Sequence, residues 1–302
     1  MKTDIQKFII KSFVFIIGLF ILDLGIGSLL EYFFNKQSSG LLFETNNVIK
    51  YTKAEVLVFG SSRANHHYVP AVFESKTSMS FYNCGRDGSG LLYSAAIIKA
   101  VCNRYTPKKI IIDILPYEFS FNEYDRLGAL LPFHKNKIIY PYILKKSQFE
   151  NIKLFSSIYP YNSLLTNIIV GNLDFNKKRY VNSKGYYPLY RKLNYLKPLV
   201  NNDRQEIDST KIFEFKEILL YLSNKGIKTY VIISPQFIVQ KNQSSCIIAK
   251  KICAKYPNVF FVDMVNDSVY LANSLLFDDP VHLNNMGAIK FSNEITKIII
   301  NH

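Results

Sequence analysis

The sequence predicts an α/β protein built on a doubly wound, five-stranded parallel sheet. Three observations lead to this prediction. Five short apolar runs alternate with helical patterns along the 302-residue chain. The run at 108–115 is nearly continuous in isoleucine, as strands covered on both faces are. Hydrophobic residues make up 48% of the chain, enough for one large core. We expect the strand order 2-1-3-4-5, with all carboxyl ends along one edge of the sheet.

The first element is an apolar segment, 12–34, long enough to cross the ~30 Å hydrocarbon core of a membrane as a helix. Lys2, Lys7 and Lys11 precede it, which predicts a cytoplasmic N-terminus and a main domain outside the cytoplasm. A removable signal peptide is the alternative, but no A-x-A-like cleavage site follows. Asp23 lies within the apolar run, where a carboxylate either has a partner or sits close to water.

The predicted domain organisation has three parts. Residues 1–35 form a signal-anchor, 36–53 form a polar linker, and 54–302 form the sheet domain. The five strands are predicted at 55–59, 79–82, 108–115, 227–234 and 258–264. Helices are predicted at 91–103, from the N-cap Ser209 to just before Gly226, at 244–255, and from Asn284 to the end of the chain. An insertion at 116–208, rich in Tyr, Phe, Lys and Asn, is predicted to hold helical pieces and loops without a strand.

The charge of the chain indicates its partners. A formal net charge of +14 favours anionic polysaccharide, anionic lipid head groups or nucleic acid. We do not expect nucleic acid, because the lysines are scattered and no binding motif is present.

The four cysteines form no C-x-x-C pair, so no metal site is predicted. Cys246 and Cys253 lie in an apolar helical pattern and are expected to be buried thiols, with a disulfide as the alternative in an exported domain.

The first candidate site segment is EVLVFGSSRANHHYVP, residues 55–70, where the first strand runs into Gly60, Ser61 and Ser62. A serine on such a turn, before a helix whose N-terminus stabilises negative charge, is a candidate nucleophile. A plain turn is the alternative. Pro70 fits the first turn of that helix.

Three charged or titratable residues follow the turn. Arg63 is either an anion-binding group or a charge on the helix surface. His66 and His67 are expected on the helix, away from the position of a catalytic base.

Two further segments reach the same sheet edge. NCGRDG, 83–88, follows the second strand, and its glycines let a backbone N–H approach a ligand closely. Its spacing is not that of the dinucleotide fingerprint. LFDDPVHLNNMGA, 276–288, follows the last strand and carries Asp279 three residues before His282. That spacing lets the carboxylate orient the imidazole while the other ring nitrogen faces a nucleophile. The alternative for 83–88 is a plain glycine-rich turn, and the alternative for 276–288 is a solvated loop.

Together these segments resemble the SGNH, or GDSL-like, hydrolase superfamily, whose fold is flavodoxin-like. The resemblance covers about 54–113 and 227–302. It implies that Ser62 is the nucleophile, that His282 is the base and that Asp279 orients His282. It also implies an oxyanion hole that uses the backbone N–H groups of Ser62 and Gly88. Three neighbours are candidate supporting residues: Ser61, Asn83 and Arg63.

One feature of the family is missing. The family expects G-x-N-D after the third strand, whereas this chain reads ILPYEFSFNE at 114–123. Asn122 is the nearest asparagine and lies out of register. Because one missing oxyanion donor can cost ~10²–10³ in rate, we expect either a slow, specialised enzyme or a non-catalytic binding or assembly component.

The arrangement of one anchor and one SGNH-like domain is similar to that of membrane-tethered proteins of teichoic-acid D-alanylation and alginate O-acetylation. The resemblance implies an esterase or O-acyltransferase that acts on a glycan or glycopolymer acyl ester of the cell envelope, with no cofactor. The expected partners are the membrane, through the N-terminal helix, and a membrane-embedded acyl-transfer protein. Four tyrosines of the insertion form either a sugar-stacking wall or a packed subdomain: Tyr180, Tyr186, Tyr187 and Tyr190.

Overall fold

The computed structural model describes residues 2–173, 184–204 and 206–301, and its centre is a five-stranded parallel sheet. The strands of this main sheet are β1 (Val56–Gly60), β2 (Phe81–Asn83), β3 (Lys109–Asp113), β5 (Lys228–Ile233) and β7 (Val259–Asp263). Their spatial order is β2-β1-β3-β5-β7. The predicted parallel sheet and its order are therefore confirmed, with β1 in the interior between β2 and β3.

A second, two-stranded parallel sheet pairs β4 (Leu199–Asn201) with β6 (Ile238–Gln240). The prediction that 116–208 holds no strand is therefore wrong at its carboxyl end. β4 is short and mostly exposed, so it has no apolar run that local patterning could reveal. It exists because a distant segment of the chain lies alongside it.

Helices lie on both faces of the main sheet and in the insertion. They are α1 (Lys2–Lys36), α2 (Gly40–Lys50), α3 (Ser62–His67), α4 (Pro70–Thr77), α5 (Leu91–Arg104), α6 (Tyr140–Leu144), α7 (Glu150–Lys153), α8 (Tyr159–Asn162), α9 (Leu165–Asn172), α10 (Ser209–Asn224), α11 (Ser244–Cys253), α12 (Ser268–Leu271) and α13 (Asn285–Asn301). Alternate side chains of β1 enter two cores. Leu57 and Phe59 face the layer that contains α5, α10 and α11. Val56 and Val58 face the layer that contains α4 and α13.

Two predicted helix starts differ from the structure. The N-cap of α10 is Asp208 rather than Ser209, since its Oδ1 accepts the backbone N–H of Thr210 at 2.8 Å. Pro70 begins a separate helix, α4, rather than the helix that Ser62 opens. The two cysteines Cys246 and Cys253 are buried free thiols on α11, as expected.

The predicted linker at 36–53 is replaced by a packed helix. Leu42, Val48 and Ile49 of α2 belong to the hydrophobic core. The segment looks polar because Thr45 and Asn46 stand in it, but both of these side chains are buried. Composition does not distinguish buried polar residues from exposed ones, so the sequence did not reveal this helix.

α1 is long and apolar enough to cross a membrane. Its carboxyl-terminal part packs on the insertion, where the Phe34 ring contacts the rings of Phe133 and Tyr161. Of the two alternatives predicted for Asp23, a partner or a position close to water, the structure shows the partner. Its carboxylate accepts hydrogen bonds from the Ser156 hydroxyl at 2.5 Å and from the Ser157 backbone N–H at 2.6 Å.

Candidate active site

The turn after β1 places Ser62 at the first residue of α3. Gly60 has φ +151°, and a Cβ there would meet the Asp113 carbonyl oxygen of β3 at 2.4 Å. Only glycine therefore fits this turn beside β3. Ser61 is the N-cap of α3, and its hydroxyl accepts the backbone N–H of Arg63 at 3.4 Å. Ser61 thus braces the turn, while Ser62 points its hydroxyl toward the carboxyl-terminal loop.

Ser62, His282 and Asp279 form a continuous hydrogen-bonded chain. The Ser62 Oγ lies 2.7 Å from Nε2 of His282. On the other side of the ring, Nδ1 lies 2.8 Å from Oδ2 of Asp279. Because a carboxylate only accepts, Nδ1 carries the proton, and Nε2 is free to accept the Ser62 hydroxyl proton. Two segments that are far apart in sequence therefore meet at the edge where the sequence predicted them.

The carboxylate of Asp279 is fixed by the loop that carries it. Its Oδ1 accepts the backbone N–H groups of Val281 and His282, both at 2.9 Å. Burial by itself raises the pKa of Asp279. The hydrogen bond and charge of His282 and these two N–H groups outweigh burial and leave the pKa below its usual value. Asp279 is therefore an ionised orienting group.

A second carboxylate, Asp278, ties the same loop to the insertion. It accepts the Arg191 backbone N–H at 2.7 Å and the Arg191 Nε–H at 2.9 Å. Asn284 donates from Nδ2 to the carbonyls of Arg191 and Leu275, at 3.1 and 2.8 Å. The sequence analysis missed Arg191 and Asn284 as supports. The motif HLNNMGA, residues 282–288, contains Asn284 and could have marked it as a candidate. Nothing in the sequence near Arg191 indicates that it pairs with Asp278.

His66 and His67 lie on α3 as expected, but their predicted distance from the base is wrong. The ring centroids of His66 and His67 lie 5.4 and 6.4 Å from that of His282. α3 is a short helix that runs directly beneath the loop at 276–284. Both histidines of α3 therefore pack against the ring that faces Ser62.

The hydrogen bonds of His67 define its tautomer. Its Nε2 accepts the backbone N–H of Leu283 at 2.9 Å, so the proton of the neutral ring is on Nδ1. Nδ1 then donates to the Ser234 hydroxyl at 3.0 Å. Burial, with help from the nearby Arg63 charge, holds the pKa of His67 well below its usual value. His67 is thus a neutral bridge between β5 and the His282 loop.

Arg63 is buried, with 2% of its surface exposed, which rules out the helix-surface alternative. Its Nε donates to the Ser234 hydroxyl at 3.1 Å, whereas Nη1 and Nη2 are buried without a hydrogen-bond partner. Asp113 is also buried nearby and accepts the Tyr68 hydroxyl at 2.7 Å. Burial raises the pKa of Asp113, against the opposing influence of the Arg63 charge. Arg63 therefore joins α3 to the end of β5 through Ser234.

The glycine-rich segment after β2 packs against α3. Asn83 donates from Nδ2 to the carbonyls of Ala64 and Tyr68, at 2.7 and 3.1 Å, so it holds the end of α3. The backbone N–H of Arg86 donates to the Gly60 carbonyl at 3.0 Å, which keeps the segment beside the Ser62 turn. Gly88 has φ +72°, a left-handed conformation that favours glycine.

The segment after β3, where the resemblance lacks its asparagine, holds a buried ion cluster. The Lys211 ammonium lies 3.0 Å from Glu118 and 2.9 Å from Glu123. The same carboxylates accept the first N–H groups of α5, those of Leu91 and Leu92, at 2.9 and 3.0 Å. Burial lowers the pKa of Lys211, but the two carboxylates outweigh it and raise the pKa. These carboxylates fix the start of α5 instead of facing Ser62.

Two cavities are lined in part by residues of α3 or of the His282 loop. One of about 190 Å³ is lined by Glu44, Asn65, Asp87 and Tyr187. Asp87 accepts the Asn65 side-chain N–H at 2.8 Å and lies 3.5 Å from His66 Nε2, so this cavity adjoins α3. Another, of about 380 Å³, includes Val281 in its lining.

The tyrosines of the insertion are divided between packing and surface. Tyr186 is buried, Tyr187 lines the smaller cavity and Tyr190 is exposed. Tyr180 lies outside the described residues. Tyr186 is thus packed, as the second alternative expects, while sugar stacking stays a prediction for the exposed Tyr190.

Comparison with known proteins gives little beyond this geometry. No family model and no curated protein matches the chain. Among solved structures, one similar chain is a protein from Streptococcus pneumonia, provisionally described as a platelet activating factor. The two chains share 11% sequence identity, the match covers 91% of this chain and 98% of that chain, and the TM-score is 0.46. A likeness of that size carries no argument, so the function is argued from the residues themselves.

Proposed function

We propose that this chain is an SGNH-type serine acyl-ester hydrolase or O-acyltransferase that works through an acyl-Ser62 intermediate. The observation that carries the proposal is the 2.7 Å contact between Ser62 Oγ and His282 Nε2, with Asp279 on the opposite ring nitrogen. A nucleophile, a base and an orienting carboxylate in this arrangement are what acyl transfer requires. The parallel sheet with Ser62 at the end of an interior strand also fits the SGNH fold.

The proposed reaction has two balanced halves. Ser62 Oγ attacks the ester carbonyl while His282 Nε2 takes the hydroxyl proton. The tetrahedral intermediate collapses, and the imidazolium returns that proton to the leaving alcohol. Water or a sugar hydroxyl then attacks the acyl-Ser62 carbonyl, giving its proton to Nε2, and Ser62 leaves with that proton. Water makes the protein an esterase, and a sugar hydroxyl makes it an O-acyltransferase.

The oxyanion hole in this proposal uses the backbone N–H groups of Ser62 and Gly88. Two features support this: the Ser62 turn and the glycine-rich segment are tied together by the bond from Arg86 to Gly60, and Gly88 has the conformation of a backbone turn. The side chains of Glu118 and Glu123 are occupied with α5 and Lys211 and add no donor. The proposal therefore includes a weaker oxyanion hole and a slow or specialised enzyme.

We propose a glycan or glycopolymer acyl ester outside the cytoplasm as the substrate. The support is the apolar α1, whose first turns carry Lys2, Lys7 and Lys11, together with the exposed Tyr190 beside Arg191. In this proposal the domain lies on the outer side of a membrane and belongs to a polysaccharide modification system. A membrane-embedded acyl-transfer protein is the proposed partner.

Labelling of the folded full chain with a fluorophosphonate tests the proposal. We expect covalent labelling of the parent protein and none of Ser62→Ala, because only an activated serine reacts with this probe. Ser75→Ala, at an exposed serine of α4, is the matched control and keeps the label. A folded parent protein that takes no label would contradict the enzyme proposal. That result would favour the non-catalytic binding or assembly component that the missing asparagine also predicts.

A further inference from the structure

An exposed apolar patch lies on the insertion around α7. Phe149, Ile152 and Phe155 are 54%, 67% and 82% exposed. The Ile152 N–H donates to the Phe149 carbonyl and the Phe155 N–H to the Ile152 carbonyl, both at 3.1 Å. This three-residue repeat puts the three side chains on one side of the turn. We call these three residues the α7 patch.

The α7 patch is fixed to α1 by the residues that directly follow it. Ser156 and Ser157 donate to the two carboxylate oxygens of Asp23, at 2.5 and 2.6 Å. Gly27, one helical turn further along α1, approaches the same loop so closely that a Cβ would meet the Ser157 Cβ at 2.4 Å. The α7 patch therefore has a fixed position along α1, at the level of Asp23.

The length of α1 before Asp23 indicates where along the helix the hydrocarbon core of the membrane ends. The large apolar residues of 5–22 are exposed, whereas beyond Asp23 exposed residues such as Leu29 alternate with buried ones such as Phe34. Eighteen helical residues rise about 27 Å, close to the ~30 Å hydrocarbon core of a bilayer. Beyond Asp23, α1 turns one side to the protein, with an ion pair between Glu31 and Lys135 at 2.9 Å. Packing of α1 on the protein beyond Asp23 therefore favours a hydrocarbon core over 5–22 rather than over 12–34. The long side chains of Lys7 and Lys11, near the start of this span, then extend back to the cytoplasmic head groups.

We propose that the α7 patch rests in the outer surface of the lipid bilayer, beside the point where α1 leaves the hydrocarbon core. The occupant of the patch is lipid, because the patch continues the exposed apolar surface of α1 at the level where the span ends. The formal net charge of +14 suits an anionic head-group layer. The proposal goes beyond the chemistry of Ser62 and requires only that α1 is inserted.

Membrane contact of the patch has a consequence for the domain. A single inserted helix can tilt in the bilayer and carry the domain packed on it along with it. A second contact, at Phe149, Ile152 and Phe155, restricts the domain to one face toward the membrane. The site at Ser62 is then held in a constant orientation relative to the lipid surface.

Tryptophan quenching tests this contact directly, because the chain contains no tryptophan. The full chain is reconstituted into bilayers with and without bromine on the acyl chains, which quenches tryptophan on contact. The test variants are Phe155→Trp and Ile152→Trp, and Phe20→Trp reports insertion of α1. Val269→Trp is the matched control: Val269 is 54% exposed, as is Phe149, and lies on α12. Tyr270 of α12 and Phe34 of α1 belong to the core layers on opposite faces of the main sheet. Val269 is therefore expected to lie away from the membrane that α1 enters.

The expected result is a loss of emission in brominated bilayers for Phe155→Trp, Ile152→Trp and Phe20→Trp, and no loss for Val269→Trp. Quenching of Phe20→Trp without quenching of the two patch variants would overturn the proposal while leaving the anchor intact. A blue-shifted but unquenched Phe155→Trp would also overturn it, because protein rather than lipid would then cover the patch. Equal quenching of Val269→Trp would show that the contact is not specific and would overturn it as well. None of these results depends on the reactivity of Ser62.

Discussion

The imidazole of His67 accepts a hydrogen bond at 2.9 Å from the backbone N–H of Leu283, the residue that follows His282. The opposite ring nitrogen of His67 donates to the Ser234 hydroxyl, which also accepts from Arg63. His67 therefore links the loop of the proposed base to the end of β5. Its neutral form, held by burial, is the form that can accept the Leu283 N–H and donate to Ser234 at once.

We predict that His67→Ala slows the reaction of Ser62 through His282, because the Leu283 N–H loses its partner and the loop loses its fixed position. An unsatisfied buried N–H costs about 1–3 kcal/mol. The measurement is the rate of fluorophosphonate labelling and, with an acetyl ester, kcat and KM. We expect kcat to fall with little change in KM. His134→Ala, at a half-buried histidine of the insertion, is the control, and an unchanged kcat in His67→Ala would contradict the prediction.

The triad itself makes a graded prediction. Ser62→Ala and His282→Ala should abolish ester turnover with similar losses, because the pair acts as one unit. Asp279→Ala should lose less, since this carboxylate orients and stabilises the imidazole without taking its proton. Turnover of an acetyl ester by each purified variant measures the order. Full activity of Ser62→Ala would end the proposal that Ser62 is the nucleophile.

Much of the fold could be predicted from the sequence because the five main strands carry dense apolar runs. The run around β3 is an example: Ile110, Ile111 and Ile112 are buried between neighbouring strands. Burial on both faces demands such residues, so the pattern and the structure agree. β4 lacks this constraint, since its residues are largely exposed and its pairing with β6 is decided by tertiary contacts. Local patterning therefore misses it.

The candidate site also contains residues that the sequence predicts and residues that it does not. Ser62, Asp279 and His282 were predictable because their chemistry and spacing show in short segments. Supports such as Arg191 and Lys211 were not, because each depends on a partner distant in sequence. Arg191 meets Asp278 and Lys211 meets Glu118 only after the chain has folded. Single-sequence reasoning identifies reacting groups more readily than the side chains that hold them.

The free energy of unfolding should depend on pH through Glu44 of α2. Burial raises the pKa of Glu44 to about 7, against the lowering influence of Arg86, while Asp87 adds to the rise. A carboxyl whose folded pKa is raised contributes stability that is present below pH ~4.5 and is lost as the pH rises toward ~7. The loss is on the order of 3 kcal/mol between those limits.

Thermal melting of the parent protein and of Glu44→Gln, followed across that pH range, measures this effect. Glutamine cannot ionise, so the difference in Tm between the two proteins should shift in favour of Glu44→Gln as the pH rises. Parallel Tm profiles would contradict the raised pKa of Glu44.

The ion cluster after β3 gives the last prediction. Lys211 is fully buried and pairs with Glu118 and Glu123, and the three side chains hold the start of α5. Lys211→Met removes the positive charge and leaves two carboxylates buried without a cation. Breaking a buried pair in this way destabilises a protein by about 3–5 kcal/mol. Chemical denaturation should show a loss of that size, whereas Lys216→Met, on the exposed side of the same helix, should change stability little. Equal stability of the two variants would mean that the carboxylates are neutralised by other groups.

α5 begins just after Gly88, so the Lys211 variant should also slow labelling of Ser62 if Gly88 contributes to the oxyanion hole.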